Sequence, residues 1–276
     1  MLSLRIRCND REPATGWVAV PLALALAGVG CSRKEDAAAL APAASALAAS
    51  KTESAAATWH YAIDPKSSTH VDMPGVKEHI KADTTAATGT LDVVARDLTQ
   101  TRGLVRVDLT TFATHTFGNG DDATQTEHAL TWLEVGMPGK VNNDMRYADF
   151  AIRSVDGVSV ADLSKVAATK DGADDVRTVT ATVHGDVLVH GHKVAKDALV
   201  DIAFRYPTGA PPEEKPARIT IRSKEPVRLV LKELDVRPRD PAGQLLDWTT
   251  RLISKVAETA DVTVDLAATP APATAM

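Results

Sequence analysis

Aromatic side chains are scarce, at 4% of 276 residues, so any core must be assembled mainly from Val, Leu, Ile and Ala. Only two cysteines occur, Cys8 and Cys31. Both precede the part of the chain with folded character, which excludes a disulfide framework for that part. There is no basic surplus: the formal charge is -5 and the pI about 5.9. That balance argues against nucleic acid, whose phosphates need a basic surface, and no polybasic stripe is available to hold an anionic membrane. No apolar run has the roughly 20 residues of a transmembrane helix. The patterns GxSxG and HExxH are missing, and Gly118-Asn119-Gly120 lacks the GK[ST] ending of a phosphate loop. It reads as a turn before a helix.

What is present begins with an export pattern. Arg5, Arg7 and Arg11 precede a short apolar run over 17–30, broken by Pro21. A positive start, an apolar stretch and small residues make a secretory signal. The run ends Leu26-Ala27-Gly28-Val29-Gly30-Cys31, which resembles the lipobox of bacterial lipoproteins, with Gly28 where that motif prefers Leu. The resemblance implies a signal peptide over 1–31, acylation of Cys31 and an anchor in the cell envelope. Two or three acyl chains hold a membrane stably where one binds marginally. Ser32, in place of Asp, implies the periplasmic face of the outer membrane. The alternative is an ordinary cleaved signal in which Cys31 is incidental.

Residues 32–57 are rich in Ala and Ser with Lys and Glu, and almost devoid of large apolar side chains. Such a segment buries too little surface to offset its ordering entropy and reads as a disordered tether. Residues 268–276 read as a Pro/Ala tail.

Between these ends the dominant period is two. Trp59, Tyr61 and Ile63 alternate with polar residues, as do Val105, Val107 and Leu109. Over 177–190, Val179, Ala181, Val183, Val187 and Val189 share one parity, while Thr178, Thr180, Thr182, His184, Asp186 and His190 share the other. Gly185 interrupts this strand and marks a bulge or bend. Further alternation follows at Val200, Ile202 and Phe204, at Ile219 and Ile221, at Val227 and Leu229, and at Val262, Val264 and Leu266. One apolar and one wet face per strand means antiparallel pairing, with no βαβ rhythm. Helical spacing predicts a helix over 124–135, with Thr124 and Glu127 at capping-box distance. It predicts a second over 241–258, from Leu245, Leu246, Trp248, Leu252, Ile253 and Val256. Periodicity alone leaves a closed barrel and a sandwich equally open.

The order of these pieces resembles the YceI-like family of exported, lipocalin-like proteins that hold isoprenoid or other amphiphilic lipids. Trp59-His60-Tyr61-Ala62-Ile63-Asp64-Pro65 is similar to that family's first strand, and Gly89-Thr90-Leu91-Asp92 to a later one. Glu127-His128-Ala129-Leu130 resembles the family's helix and Tyr147-Ala148-Asp149-Phe150 its short strand with a central Phe. The run from Val183 to Gly191 resembles its most characteristic hairpin. Trp132-Leu133 replaces the paired aromatics at the helix end, and 207–258 lacks a counterpart.

This resemblance implies an all-β, lipocalin-like antiparallel barrel over 58–267, with one or two helices and no catalysis. Its function would be to carry an amphiphilic, isoprenoid-like lipid in the lumen. The candidate lumen residues are Val105, Val107 and Leu109 on one strand, Leu130 and Trp132 on the helix, Val183, Val187 and Val189 on the hairpin, and Ile202 and Phe204 on the returning strand. His128 is a candidate headgroup contact at a barrel mouth. No cofactor and no nucleic-acid partner is expected. Two other readings stand beside it. One is a lipoprotein with a filled core that acts through its surface. The other is a metal enzyme using His184, His190 and His192, with Asp186 as a further ligand, although six residues of strand span about 20 Å.

Overall fold

A computed structural model describes residues 58–75, 79–137, 140–240, 244–246 and 257–272. The expected signal peptide, Cys31, the tether and most of the helix expected over 241–258 lie outside those residues. Among the described residues, no helix is long and apolar enough to cross a membrane.

The alternation seen in the sequence becomes a ring of antiparallel strands. The first stave is β1 (Thr58–Ile63) and β2 (Ser68–Pro74), interrupted at Asp64-Pro65. The second is β3 (His79–Thr84) and β4 (Ala87–Val94), and the third β5 (Arg102–Asp108) and β6 (Ala113–Thr114). After the third stave the chain leaves the ring for helix α1 (Asp121–Trp132) and a small hairpin, β7 (Gly136–Met137) with β8 (Lys140–Val141). It returns as β9 (Tyr147–Asp156), adds the short β10 (Thr169–Asp171), and continues with the two longest strands, β11 (Asp174–Val189) and β12 (His192–Pro207). β13 (Arg218–Ser223), β14 (Val227–Val230) and β15 (Thr259–Pro270) complete it.

Pairing runs β1-β4-β5-β9-β11-β12-β13-β15, and β15 pairs back onto β1. This is a closed path of eight strands in which neighbours in space are neighbours along the chain. β15 seals the seam along both halves. Residues 261–265 pair with β2 and 268–270 with β1, while on its other edge it meets β14 and then β13. Closure removes the free edges that an open sheet would expose. The barrel expected from sequence is therefore observed, and the sandwich is not.

Two boundaries differ from expectation. The last strand continues to Pro270, and Ala268 is fully buried, so the tail cannot begin at 268: pairing with β1 holds those residues in the wall. Helix α1 starts at Asp121, with Gly120 as its cap and no side-chain cap bond. The expected capping box at Thr124 and Glu127 does not form. Instead, the Asp122 carboxylate accepts the backbone N–H groups of Phe117 and Gly118 (2.9 and 2.8 Å), so the preceding turn is fastened to the first helical turn.

Gly185 lies where the β9–β11 register shifts, but the extra residue is Arg153 on β9, and β11 itself runs unbroken against β12. A Cβ there would come within 2.4 Å of the Phe150 ring, so Phe150 covers the gap that the glycine leaves. Outward residues form cross-strand polar pairs in register: Arg222 with Asp265 at 3.0 Å, Arg228 with Asp261 at 2.8 Å and His184 with Asp197 at 2.6 Å. Exposed pairs of this kind contribute little stability, but they pin which parity faces water.

One end of the barrel is packed solid. Tyr61, Leu163 and Tyr206 there are at most 1% exposed. The Tyr61 hydroxyl donates to the Pro216 carbonyl at 2.9 Å. Burial raises the pKa of both phenols, that of Tyr206 to about 12.

Candidate functional site: an apolar cavity inside the barrel

Inward residues do not meet across the middle of the ring. They enclose a cavity of about 1080 Å³, at the upper end of the range for small-molecule sites. Its walls come from nearly every stave: Leu91 and Val93 on β4, Val105 and Val107 on β5, Phe150 and Ile152 on β9, Val200 on β12, Ile221 on β13 and Val264 on β15. Several of these point inward yet are only half-buried, among them Val107, Phe150, Ile152, Ile202, Ile221 and Val264. Each packs against the core on one side and keeps accessible surface on the side that lines the cavity. The scarcity of aromatics supplies the reason, since Val and Ile on opposite walls are too short to bridge the lumen.

Of the lumen residues picked from sequence, all except Leu130 line this cavity. Leu130 is buried instead in a side cluster with Leu109, Phe112, Val135 and Leu234. Helical periodicity marked it as inward but could not say whether it faced the lumen or the helix's own seat, and the seat takes it. Other lining residues are Leu91, which shares the parity of β4's buried face, and Ile152, which shares that of Ala148 and Phe150 on β9 before the register shift turns Val155 inward. Parity would have found Leu91, while on β9 it changes at the extra residue Arg153 and so could not assign both Ile152 and Val155.

The polar lining is concentrated at one end. Gln125 and His128 come from α1, Asp149 from β9, Lys232 and Arg237 from the segment after β14, and Glu258 from just before β15. Deeper in, Thr69 and Thr84 face each other across β2 and β3, with buried hydroxyls that have no hydrogen-bond partner. The site is therefore an aliphatic chamber with a polar rim at the α1 end.

No protein-family profile and no curated protein matches the chain. Solved structures are similar to it, two of them as follows. One is a polyisoprenoid binding domain from Saccharophagus degradans implicated in plant cell wall breakdown, with TM-score 0.47 and 12% identity over 76% of this chain and 98% of that one. The other is BcnA from Burkholderia cenocepacia, with TM-score 0.45 and 13% identity over 75% of this chain and 99% of that one. The barrel and its cavity stand on the strand pairing above, independently of either likeness.

The histidines grouped by sequence are divided by the structure. His184 sits on the outer face, bonded to Asp197 and 2.9 Å from Asp156, and these carboxylates raise its pKa. Asp186 pairs with Arg153 at 3.3 Å and Lys193 at 3.6 Å. His190 and His192 lie together at the far end of the same hairpin, their rings stacked 6.1 Å apart. The three-histidine site is thus not formed, because a strand keeps His184 away from the turn that joins the other two.

Proposed function

We propose that this protein binds and carries an amphiphilic lipid with a long aliphatic or isoprenoid-like chain, without chemical change to it. The observation that carries the reading is the hollow centre: an apolar chamber walled by half-buried Val, Ile and Leu, with most of its charged and amide groups at the α1 end. Each methylene moved from water into such a lumen contributes about 0.8 kcal/mol, so ten carbons give roughly 8 kcal/mol before association costs. A rim carrying His128, Lys232 and Arg237 suits a polar headgroup that stays near water. The ordered motifs resembling the YceI-like family support the same class of ligand. A filled-core protein acting only through its surface is disfavoured by the cavity itself.

Native mass spectrometry of the purified chain, followed by organic extraction, tests this. The expected result is a mass adduct that disappears on extraction and is recovered as a lipid. A chain that stays empty after incubation with geranylgeraniol and with long-chain fatty acids would refute it.

We further propose export and anchoring through acylated Cys31, on the periplasmic face of the outer membrane, with residues 32–57 as the tether. The lipobox-like sequence supports this. Metabolic labelling with palmitate should mark the chain, and Cys31→Ser should abolish the label. A label that survives the substitution would dismiss the anchor.

A further inference from the structure

We propose that His190, His192 and Asp235 form a binding site for a divalent transition-metal ion, zinc foremost, in the barrel wall beside the lipid cavity. One ring nitrogen from each histidine and one carboxylate oxygen of Asp235 lie within 4.8 Å of one another. Imidazole and carboxylate donors suit zinc, at about 2.0–2.2 Å from each, which places ligand atoms roughly 3.3 Å apart in a tetrahedron. His192 is exposed and so is the ligand free to turn toward an ion.

His190 carries the argument. Its side chain is 3% exposed. Nε2 is bonded to Glu134 Oε2, while Nδ1 is buried and has no hydrogen-bond partner. Burying an unpaired ring nitrogen is costly, and a metal ion is the partner that would use it. A histidine ligand whose second nitrogen is held by a carboxylate is the common outer-shell pattern of zinc sites, and Glu134 supplies that carboxylate. Both Asp235 oxygens already meet a guanidinium, Oδ1 that of Arg237 and Oδ2 that of Arg239 at 3.0 Å, so an ion would share one of them, and Arg239 also reaches Glu134 at 3.2 Å. Those two guanidiniums oppose a further positive charge and are expected to weaken binding relative to a site without them.

The backbone agrees. Among the described residues, the only non-glycine residues with positive φ are Glu134 (53°), His190 (52°) and Asp235 (53°). All three belong to this one cluster. His190-Gly191 is the two-residue turn between β11 and β12, with positive φ at both positions, a geometry for which Asn-Gly is the favoured pair. The flanking Val189 and Leu234 line the cavity. A bound ion would therefore clamp the β11–β12 turn to the segment after β14 at the polar-rimmed end of the lumen. With three protein ligands, a fourth position stays open to water or an anion.

The test uses the full chain without a tag, freed of metal by a chelator, then titrated with zinc chloride by calorimetry and with cobalt chloride by visible absorption. Binding of a single ion per chain is expected, with the d–d bands of four-coordinate cobalt. His190→Asn keeps a residue suited to the turn and should abolish binding. His192→Ala, at an exposed position, should weaken it by at least about tenfold. His60→Ala, which removes an exposed histidine paired with Asp92, should change nothing. Absence of stoichiometric binding, or equal effects of His192→Ala and His60→Ala, overturns the proposal. Lipid binding and metal binding are read separately, so either can fail alone.

Discussion

Replacing Val107 and Ile202 together by tryptophan should lower the affinity for cis-parinaric acid about a hundredfold while leaving the barrel folded. Both side chains point into the cavity, from β5 and from β12, and both keep accessible surface there. Val107 and Ile202 touch core neighbours on one side and the cavity on the other, so an indole has open volume to grow into and the overpacking cost of a solid core, about 1–3 kcal/mol, does not apply in full. The ligand meets the opposite situation. If the two rings displace about four methylenes of its chain, at about 0.8 kcal/mol each, roughly 3 kcal/mol of binding is lost. That is a factor of a hundred or more. Fluorescence titration gives the affinity, and circular dichroism with urea unfolding checks the fold. Unchanged affinity in a folded double variant would show that the lipid does not enter the lumen. A large loss of stability would show that the core is filled in solution.

The second large effect concerns the wall itself. Gly89→Ala should destabilise the domain by about 3 kcal/mol, from two causes that add. The glycine adopts φ +138° opposite Val105 on β5, where a Cβ would lie 1.9 Å from the carbonyl oxygen of Leu104. A side chain in that region of backbone space costs about 1–3 kcal/mol, and relieving the collision must push two hydrogen-bonded strands apart. Gly172→Ala provides the comparison. Its φ of +62° is also strained for alanine, but nothing lies within 4 Å of the added carbon, so a loss of about 1 kcal/mol is expected. Urea midpoints at constant slope read both differences. Equal shifts for the two variants would mean that β4 and β5 do not approach so closely in solution.

Much of the architecture was legible because a strand's period of two is written locally. Val179, Ala181, Val183 and Val189 all fall on the buried side of β11, as their spacing required, and Val187 joins them in lining the cavity. The glycine inside the regular β11 pattern marked the place of a register shift, but the extra residue, Arg153, belongs to the neighbouring β9. What failed to show was whatever depends on where a face ends up. Leu130 and Trp132 both read as inward on α1, and only packing separates the one buried in the helix seat from the one that borders the lumen. Residues 268–270 have the composition of a tail, yet pairing with β1 makes them wall.

Sequence by itself therefore determined the strands, their inward parity and the aliphatic make-up of the inner surface, since each depends on residues a few positions apart. Only the tertiary structure decided that the ring closes, with β15 returning to β1 some 200 residues along the chain, and that short aliphatic side chains leave its centre open. It alone brought Glu134, His190 and Asp235 together. Closure, void volume and such meetings are properties of distant segments in space, and no local pattern encodes the distance between two walls.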